Sequence, residues 1–319
     1  MTKTLIIGDV HLTDVAHRPR SRTVGYTEQI LDKLRFCVTT ANELSVPIVQ
    51  AGDLFHLKAP SKNSHRLVQE VHSILDECKE GVWVVPGNHD MHHDRLDSLE
   101  SQPLGSRCRM RNVSLLIGET SDLPGIAGVP YVTEFDGGNW QHALENYDNF
   151  NIVAESPTLL VTHAPLFPPG QAPGVYASID PGEWAEYWIG IVATYYGHIH
   201  DHHGTFMDST GFMQFCNQGA LSRGSLHEAT IGRKPAVTLW DGTEFTRIEV
   251  PHLPPEEVFL FEQAAIKTAK KASAAEFAAA LGQTTIEGLT IESVLAKLRG
   301  EVKDPQVREI LIDAIEGAQ

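Results

Sequence analysis

Five short stretches of this chain concentrate carboxylate, amide and imidazole side chains, and four of them open on glycine: Gly8-Asp9-Val10-His11, Gly52-Asp53-Leu54-Phe55-His56, Gly87-Asn88-His89-Asp90, Thr162-His163-Ala164 and Gly197-His198-Ile199-His200. Packing alone gives no reason to put so many hard donors at strand ends. Carboxylate, amide oxygen and imidazole together suit manganese, iron or zinc better than calcium or a thiophilic metal. One carboxylate can bridge two ions through its two oxygens. Two ions about 3.5–4 Å apart can clamp the attacking and leaving oxygens of a phosphoester. A water held between them would be acidified enough to attack phosphorus at neutral pH. The kit is that of two-metal phosphoester hydrolysis.

Taken singly, the motifs differ in weight. A Gly-Asp at a strand end is often a turn and nothing more, and His163 alone would be unremarkable. Gly87-Asn88-His89-Asp90 is more specific. In an extended segment alternate residues face the same way, so the spacing of His198 and His200 predicts two imidazoles on one site. A purely structural explanation does not account for all five in this order, each behind an apolar run.

Such chemistry needs elements to aim it. Residues 5–7, 46–50 and 82–85 are short apolar runs, each ending in one of the first three motifs, and read as strands. Between them, Ile30, Leu31, Leu34, Val38 and Ala41 recur at helical spacing over 27–44, and Leu67, Val68, Val71, Ile74 and Leu75 over 63–78. A β-α-β-α-β series implies parallel strands and right-handed crossovers. In open α/β sheets ligands bind beyond the carboxyl ends of the strands, where these motifs fall. Further strands are expected at 113–117, 125–129, 158–162, 191–195, 212–216, 236–240 and 245–249, with helices at 139–146 and 181–188. The sum is two sheets facing each other with helices outside.

His252-Leu253-Pro254-Pro255 marks a boundary, giving a main domain over 1–251 and a helical segment over 256–319. In that segment Ser273 and Glu276 form a capping box, Gly282 stops the helix, and Asp304-Pro305 opens another with Val307, Ile310, Leu311, Ala314 and Ile315 on one stripe. Short amphipathic helices are marginal alone, so these must dock on each other, on the main domain or on a partner.

The chain has 319 residues and a formal net charge of −16 from 25 Lys+Arg and 41 Asp+Glu. That surface argues against broad nonspecific affinity for nucleic acid, although bound cations would offset it locally. The four cysteines, Cys37, Cys78, Cys108 and Cys216, form no CxxC pair, which excludes a thiolate cluster and a disulfide framework. No secretory leader and no run of about 18 apolar residues is present, so the expected location is the cytoplasm, without membrane attachment.

The ordered motifs resemble those of the calcineurin-like metallophosphoesterases, whose signature runs GDxH, GDxx[DH], GNH[DE], H and GHxH, and the resemblance spans roughly residues 3–250. It implies an α/β (α+β) four-layer α/β/β/α sandwich. Within that superfamily, Gly52-Asp53-Leu54-Phe55-His56 with the downstream Pro60-Ser61 is similar to the SbcD-type double-strand-break repair nucleases, whereas the generic phosphatase pattern has Asp at the place of His56. The segment from Asn217 to Arg223 also resembles theirs, with Gln218 in place of the usual Pro. The resemblance implies two divalent ions, manganese foremost, with iron, zinc or magnesium as alternatives. One would be held by Asp9, His11, Asp53 and His200, the other by Asp53, Asn88, His163 and His198, with Asp53 as the bridge. His89 would stabilise the transition state or protonate the leaving oxygen, Asp90 would orient His89, and His56 would face the phosphate. Exonuclease and endonuclease action on DNA, homodimerisation and an SbcC-type ATPase partner are implied as well. Arg18, Arg20 and Arg22, in the loop after the first motif, are candidates for the DNA backbone, and Arg107, Arg109 and Arg111 form a second cluster. The rival reading is a small-molecule or cyclic-nucleotide phosphodiesterase or phosphatase of the same fold, which the negative charge favours.

Overall fold

The computed structural model describes residues 2–14, 22–23, 25–59, 62–92, 95–107, 112–136, 138–145, 158–174, 177–224 and 231–261. Arg18, Arg20, Arg109, Arg111 and the helices expected beyond 261 lie outside the described residues. The chain divides into two compact units, Met1–Pro19 with Val24–Val258, and Arg20–Thr23 with Phe259–Gln319.

The first unit is built on two six-stranded mixed sheets. In the first, β1 (Thr4–Ile7), β2 (Ile48–Gln50), β3 (Val82–Val84) and β4 (Val113–Leu115) run parallel, and β11 (Ala236–Trp240) and β12 (Phe245–Glu249) add antiparallel beside β1. In the second, β6 (Ile126–Val129), β7 (Leu159–Thr162), β8 (Ala193–Tyr196) and β10 (Gln214–Asn217) run parallel between antiparallel edges β5 (Gly118–Glu119) and β9 (Gly204–Met207). Side chains alternate across a strand. Ile6, Val49 and Trp240 of the first sheet therefore meet Ile126, Leu159, Val161, Tyr195 and Cys216 of the second in one buried core.

The opposite faces carry helices. In α1 (Tyr26–Leu44) Ile30, Leu31, Leu34, Cys37, Val38 and Ala41 are buried on one side, and Ser45 closes the helix at φ 52°. It lies against β1 and against α2 (His65–Asp76), to which Arg35 reaches with an ion pair to Glu70 of 2.6 Å. Ser64 Oγ caps α2 by accepting the Leu67 N–H at 3.1 Å. A five-residue α3 (Pro103–Arg107) follows. On the second sheet, α4 (Trp140–Glu145) and α5 (Pro181–Tyr187) stack through Trp140 and Trp184, and Trp184 Nε1 donates to Thr194 Oγ1 of β8 at 3.2 Å. The result is the expected α/β/β/α sandwich.

Register levels the strand ends. Ile7 pairs with Gln50 and Gln50 with Val84, so the first three motifs leave the first sheet side by side. Thr162 pairs with Tyr196, which does the same for the last two in the second sheet. One expectation needs correction. The strand expected over 113–117 stops at Leu115, because the chain leaves the first sheet there, buries Leu116 in the core and enters the second sheet as a separate strand at Gly118.

Candidate metal centre

Three of the five motifs are turns held in a conformation that few side chains adopt. His11, Asp53 and His198 have φ of 50°, 57° and 73°, and the other described non-glycine residue at positive φ is Ser45. Such backbone is retained where surrounding contacts over-determine it. The contacts are visible. Asp53 C=O accepts the N–H groups of Val10 and His11 at 3.1 and 2.9 Å, which ties the first turn to the second. Asp53 Oδ1 accepts the His89 N–H at 2.8 Å, which ties the second to the third. Asp9 Oδ1 and Oδ2 accept the His198 N–H at 3.0 and 3.1 Å, which ties the first to the fifth. The glycines allow this closeness: a Cβ on Gly52 would strike His163 Nδ1, and one on Gly87 would strike Asp53 Oδ1.

The side chains then converge in two groups that share Asp53. In the first, His11 Nε2 lies 2.8 Å from His200 Nε2, 3.5 Å from Asp53 Oδ2 and 3.8 Å from Asp9 Oδ2, and His200 Nε2 is 3.3 Å from Asp9 Oδ2. One donor atom from each of Asp9, His11, Asp53 and His200 lies within 4.8 Å of the others. In the second, His163 Nε2 is 3.4 Å from Asp53 Oδ2 and 3.1 Å from Asn88 Oδ1, and the His198 ring meets the His163 ring edge-on at 5.1 Å. His163 Nδ1 is 2.7 Å from the Ala51 carbonyl, which can only accept, so the proton sits on Nδ1 and Nε2 faces the site. His198 and His200 do converge here, but not by strand alternation. β8 ends at Tyr196, and it is the left-handed turn at His198 that aims them.

The electrostatics are those of a site short of positive charge. Burial would raise the carboxyl of Asp53, but His163 and His11 beside it hold it well below the usual range. Burial would depress His163, yet Asp53 and Asp9 push it up to about 10. His200 is also raised despite burial, through Asp9. His11 and His198 are pushed down to about 3 and about 4, chiefly by burial. Among the described residues neither Asp9 nor Asp53 forms an ion pair with Lys or Arg. Two buried carboxylates facing four imidazoles and an amide oxygen fit a pair of divalent cations better than they fit one another.

Residues 2–202 match the family model of the calcineurin-like phosphoesterases, and all five motifs lie inside the match. The chain belongs to that family. No curated protein matches the sequence. As a calcineurin-like phosphoesterase, the domain is a metal-dependent hydrolase of phosphoesters, and the donors just described are the ones that could hold its ions.

The remaining polar groups of this phosphoesterase stand around the donors. His89 Nδ1 lies 2.7 Å from the His56 carbonyl, which fixes the ring and leaves Nε2 uncommitted by that bond. Its ring is stacked on His56 at 5.4 Å and 18°, and meets His11 edge-on at 4.9 Å. Asp90, expected to orient His89, does something else. Its Oδ2 accepts the N–H groups of Asp53 and Gly87 at 2.7 and 3.0 Å, and its Oδ1 that of Leu54 at 3.2 Å. It braces two turns, because three converging backbone donors at a buried position require an acceptor. Arg22 pairs with Phe259 in the second unit, its guanidinium 5.9 Å from the ring centre.

Two positioning groups escaped the motif reading. Gln50 Nε2 donates to the carbonyls of Gly8 and Gly52 at 3.3 and 2.5 Å, joining the first two turns from beneath. Asn217 Nδ2 donates to the Tyr196 and Ile199 carbonyls at 2.9 and 3.0 Å, and its Oδ1 accepts the Gly219 N–H at 2.6 Å. The turn that follows gives the Ala220 N–H to His200 C=O at 3.1 Å and the Leu221 N–H to Asp9 C=O at 2.7 Å. No metal-ligand spacing marks either residue. The one sequence signal was the likeness of residues 217–223 to the SbcD-type segment.

Proposed function

We propose that this chain is a two-metal phosphodiesterase acting on DNA, of SbcD type and manganese-dependent. The observation that carries the reading is the imidazole at position 56. His56 Nδ1 lies 3.4 Å from His11 Nδ1, and its ring backs His89. A carboxylate there, as in the generic phosphatase pattern, would add negative charge beside two buried carboxylates and repel a phosphodiester backbone. An imidazole adds a hydrogen-bond donor for one.

Divalent ions at the two donor groups would polarise a phosphoryl oxygen and lower the pKa of water. The chain's own residues do the rest. Asp53, common to both groups, would be the ligand the two ions share. With Nδ1–H committed to the His56 carbonyl, a protonated His89 would present Nε2–H to the leaving oxygen and pass it that proton as the P–O bond breaks, the oxygen leaving as the alcohol and the ring becoming neutral. His56 donates to a non-bridging oxygen, and Arg18, Arg20 and Arg22 steer the DNA backbone. Residues 1–251 form the nuclease domain, and 256–319 dock a second copy of the chain and an SbcC-type ATPase, in the cytoplasm. The net charge of −16 supports the alternative, a small phosphodiester such as a cyclic nucleotide.

The deciding assay offers single-stranded, blunt and overhanging DNA, bis-p-nitrophenyl phosphate and cyclic nucleotides with Mn²⁺. The expected result is cleavage of DNA that Asp53→Ala abolishes. Turnover of the small diesters with DNA left intact would transfer the chain to the alternative. DNA cleavage that survives Asp53→Ala would arise outside this site.

A further inference from the structure

Tyr131 belongs to no motif, yet it sits against the centre. It follows β6, and its N–H donates to Pro86 C=O at 3.0 Å, just ahead of the third motif. Its ring is buried and lies nearly parallel to the His198 imidazole, with centroids 5.6 Å apart and planes 28° apart. It also meets His163 edge-on at 6.3 Å. The ring is supported in turn. Phe135 packs against Tyr131 at 6.0 Å, Trp184 of α5 against Phe135 at 6.3 Å, and Trp140 of α4 against Trp184 at 5.2 Å. The Tyr131 hydroxyl donates to Asp136 Oδ2 at 2.5 Å, which stops the ring from sliding.

His198 needs such support more than its neighbours do. Histidines that bind metal usually donate their second ring N–H to a carbonyl or carboxylate, which fixes the ring plane. His163 has that anchor in Ala51 C=O. Among the described residues the His198 imidazole has no hydrogen-bond partner, and its backbone stands at φ 73° in a turn beyond the strand. Its ring contacts are Tyr131 and His163. Face-on aromatic packing favours one ring orientation and replaces the missing hydrogen bond.

We infer that Tyr131 is the positioning residue for His198, and so sets the affinity of the second metal ion without touching either ion or substrate. The inference rests on the two-ion reading of the centre. The test is a Mn²⁺ titration of the whole chain by calorimetry, with electron paramagnetic resonance reporting coupling between paired ions. The natural chain is expected to bind two. Tyr131→Leu is expected to bind the first as before and the second about 10–100-fold more weakly, the usual cost of losing an outer positioning contact, with the coupled-pair signal lost at limiting metal. Tyr131→Phe keeps the ring and should retain the second ion. A merely structural role would weaken both ions together. That result, or an unchanged second affinity in Tyr131→Leu, overturns the inference. If Tyr131→Leu does not melt cooperatively, Tyr131→Met supplies the same comparison. A natural chain that binds a single ion would overturn the two-ion reading and this inference with it, whereas two ions bound with the same two affinities in both chains would overturn this inference alone.

Discussion

Gly52 and Gly170 share a backbone preference and differ in what surrounds them. Both have positive φ, 93° and 73°, so alanine at either is strained. A methyl on Gly170 would meet nothing within 4 Å, whereas one on Gly52 would enter the His163 ring. Gly170→Ala should therefore lose about 1 kcal/mol of stability, the ordinary backbone cost, and keep full phosphodiesterase activity. Gly52→Ala should lose the second ion and the activity along with it, because His163 must leave the Ala51 carbonyl that sets its tautomer. Parallel denaturant melts and Mn²⁺ titrations separate the two. Equal loss of activity in both variants would mean that backbone strain, not the approach of the ring, is what glycine relieves at residue 52.

The elements that carry the donors were legible because each is a short apolar run cut off by a turn. β1, β2, β3 and β7 are buried along their whole length or nearly so, and read as short apolar runs with a polar residue only at an end. β5 and β9 were not legible. The first has two residues, and the second, Gly-Thr-Phe-Met at a sheet edge with alternating partial exposure, carries too little pattern to stand out from a loop. The donors themselves were legible by type and order, but the groups that hold them were not. Asn217 follows β8 by more than twenty residues and reaches its turn only because β10 pairs beside β8 in parallel. That pairing belongs to the element scale, and so does its test. Asn217→Ala would strip a donor from two carbonyls and leave the Gly219 N–H without its acceptor, at about 1–3 kcal/mol for a buried group left unpaired. The His198–His200 turn and the turn above Asp9 should loosen together, so urea unfolding shifts to lower concentration and Mn²⁺ binding weakens at both ions. Loss of one ion alone would show that the two turns are held independently.

For the molecule as a whole, the linkage between protons and metal yields a pH dependence with a definite sign. In metal-free protein His163 holds its proton up to about 10, against roughly 6.5 in the unfolded chain. Between those values the folded state binds one proton more than the unfolded state, so stability falls as pH rises. The contribution is complete below about 6.5 and is lost as pH passes through the folded value. His11 and His198, depressed to about 3 and about 4, oppose this slope at and below about 6.5, where the unfolded chain protonates them, and are neutral in both states at higher pH, where they leave it unchanged. A metal ion on His163 Nε2 requires the neutral ring and takes over the proton's electrostatic role beside Asp53 and Asp9. Metal-loaded protein thus escapes this source of alkaline loss. The gain in melting temperature on adding Mn²⁺ to chelator-treated protein should be larger at pH 8.5 than at pH 6.5, and calorimetry in buffers of different ionisation enthalpy should show proton release on binding. His163→Ala should abolish most of that release while leaving the fold intact. A gain independent of pH, with no proton released, would mean that the buried carboxylates are balanced by something other than the imidazole they face.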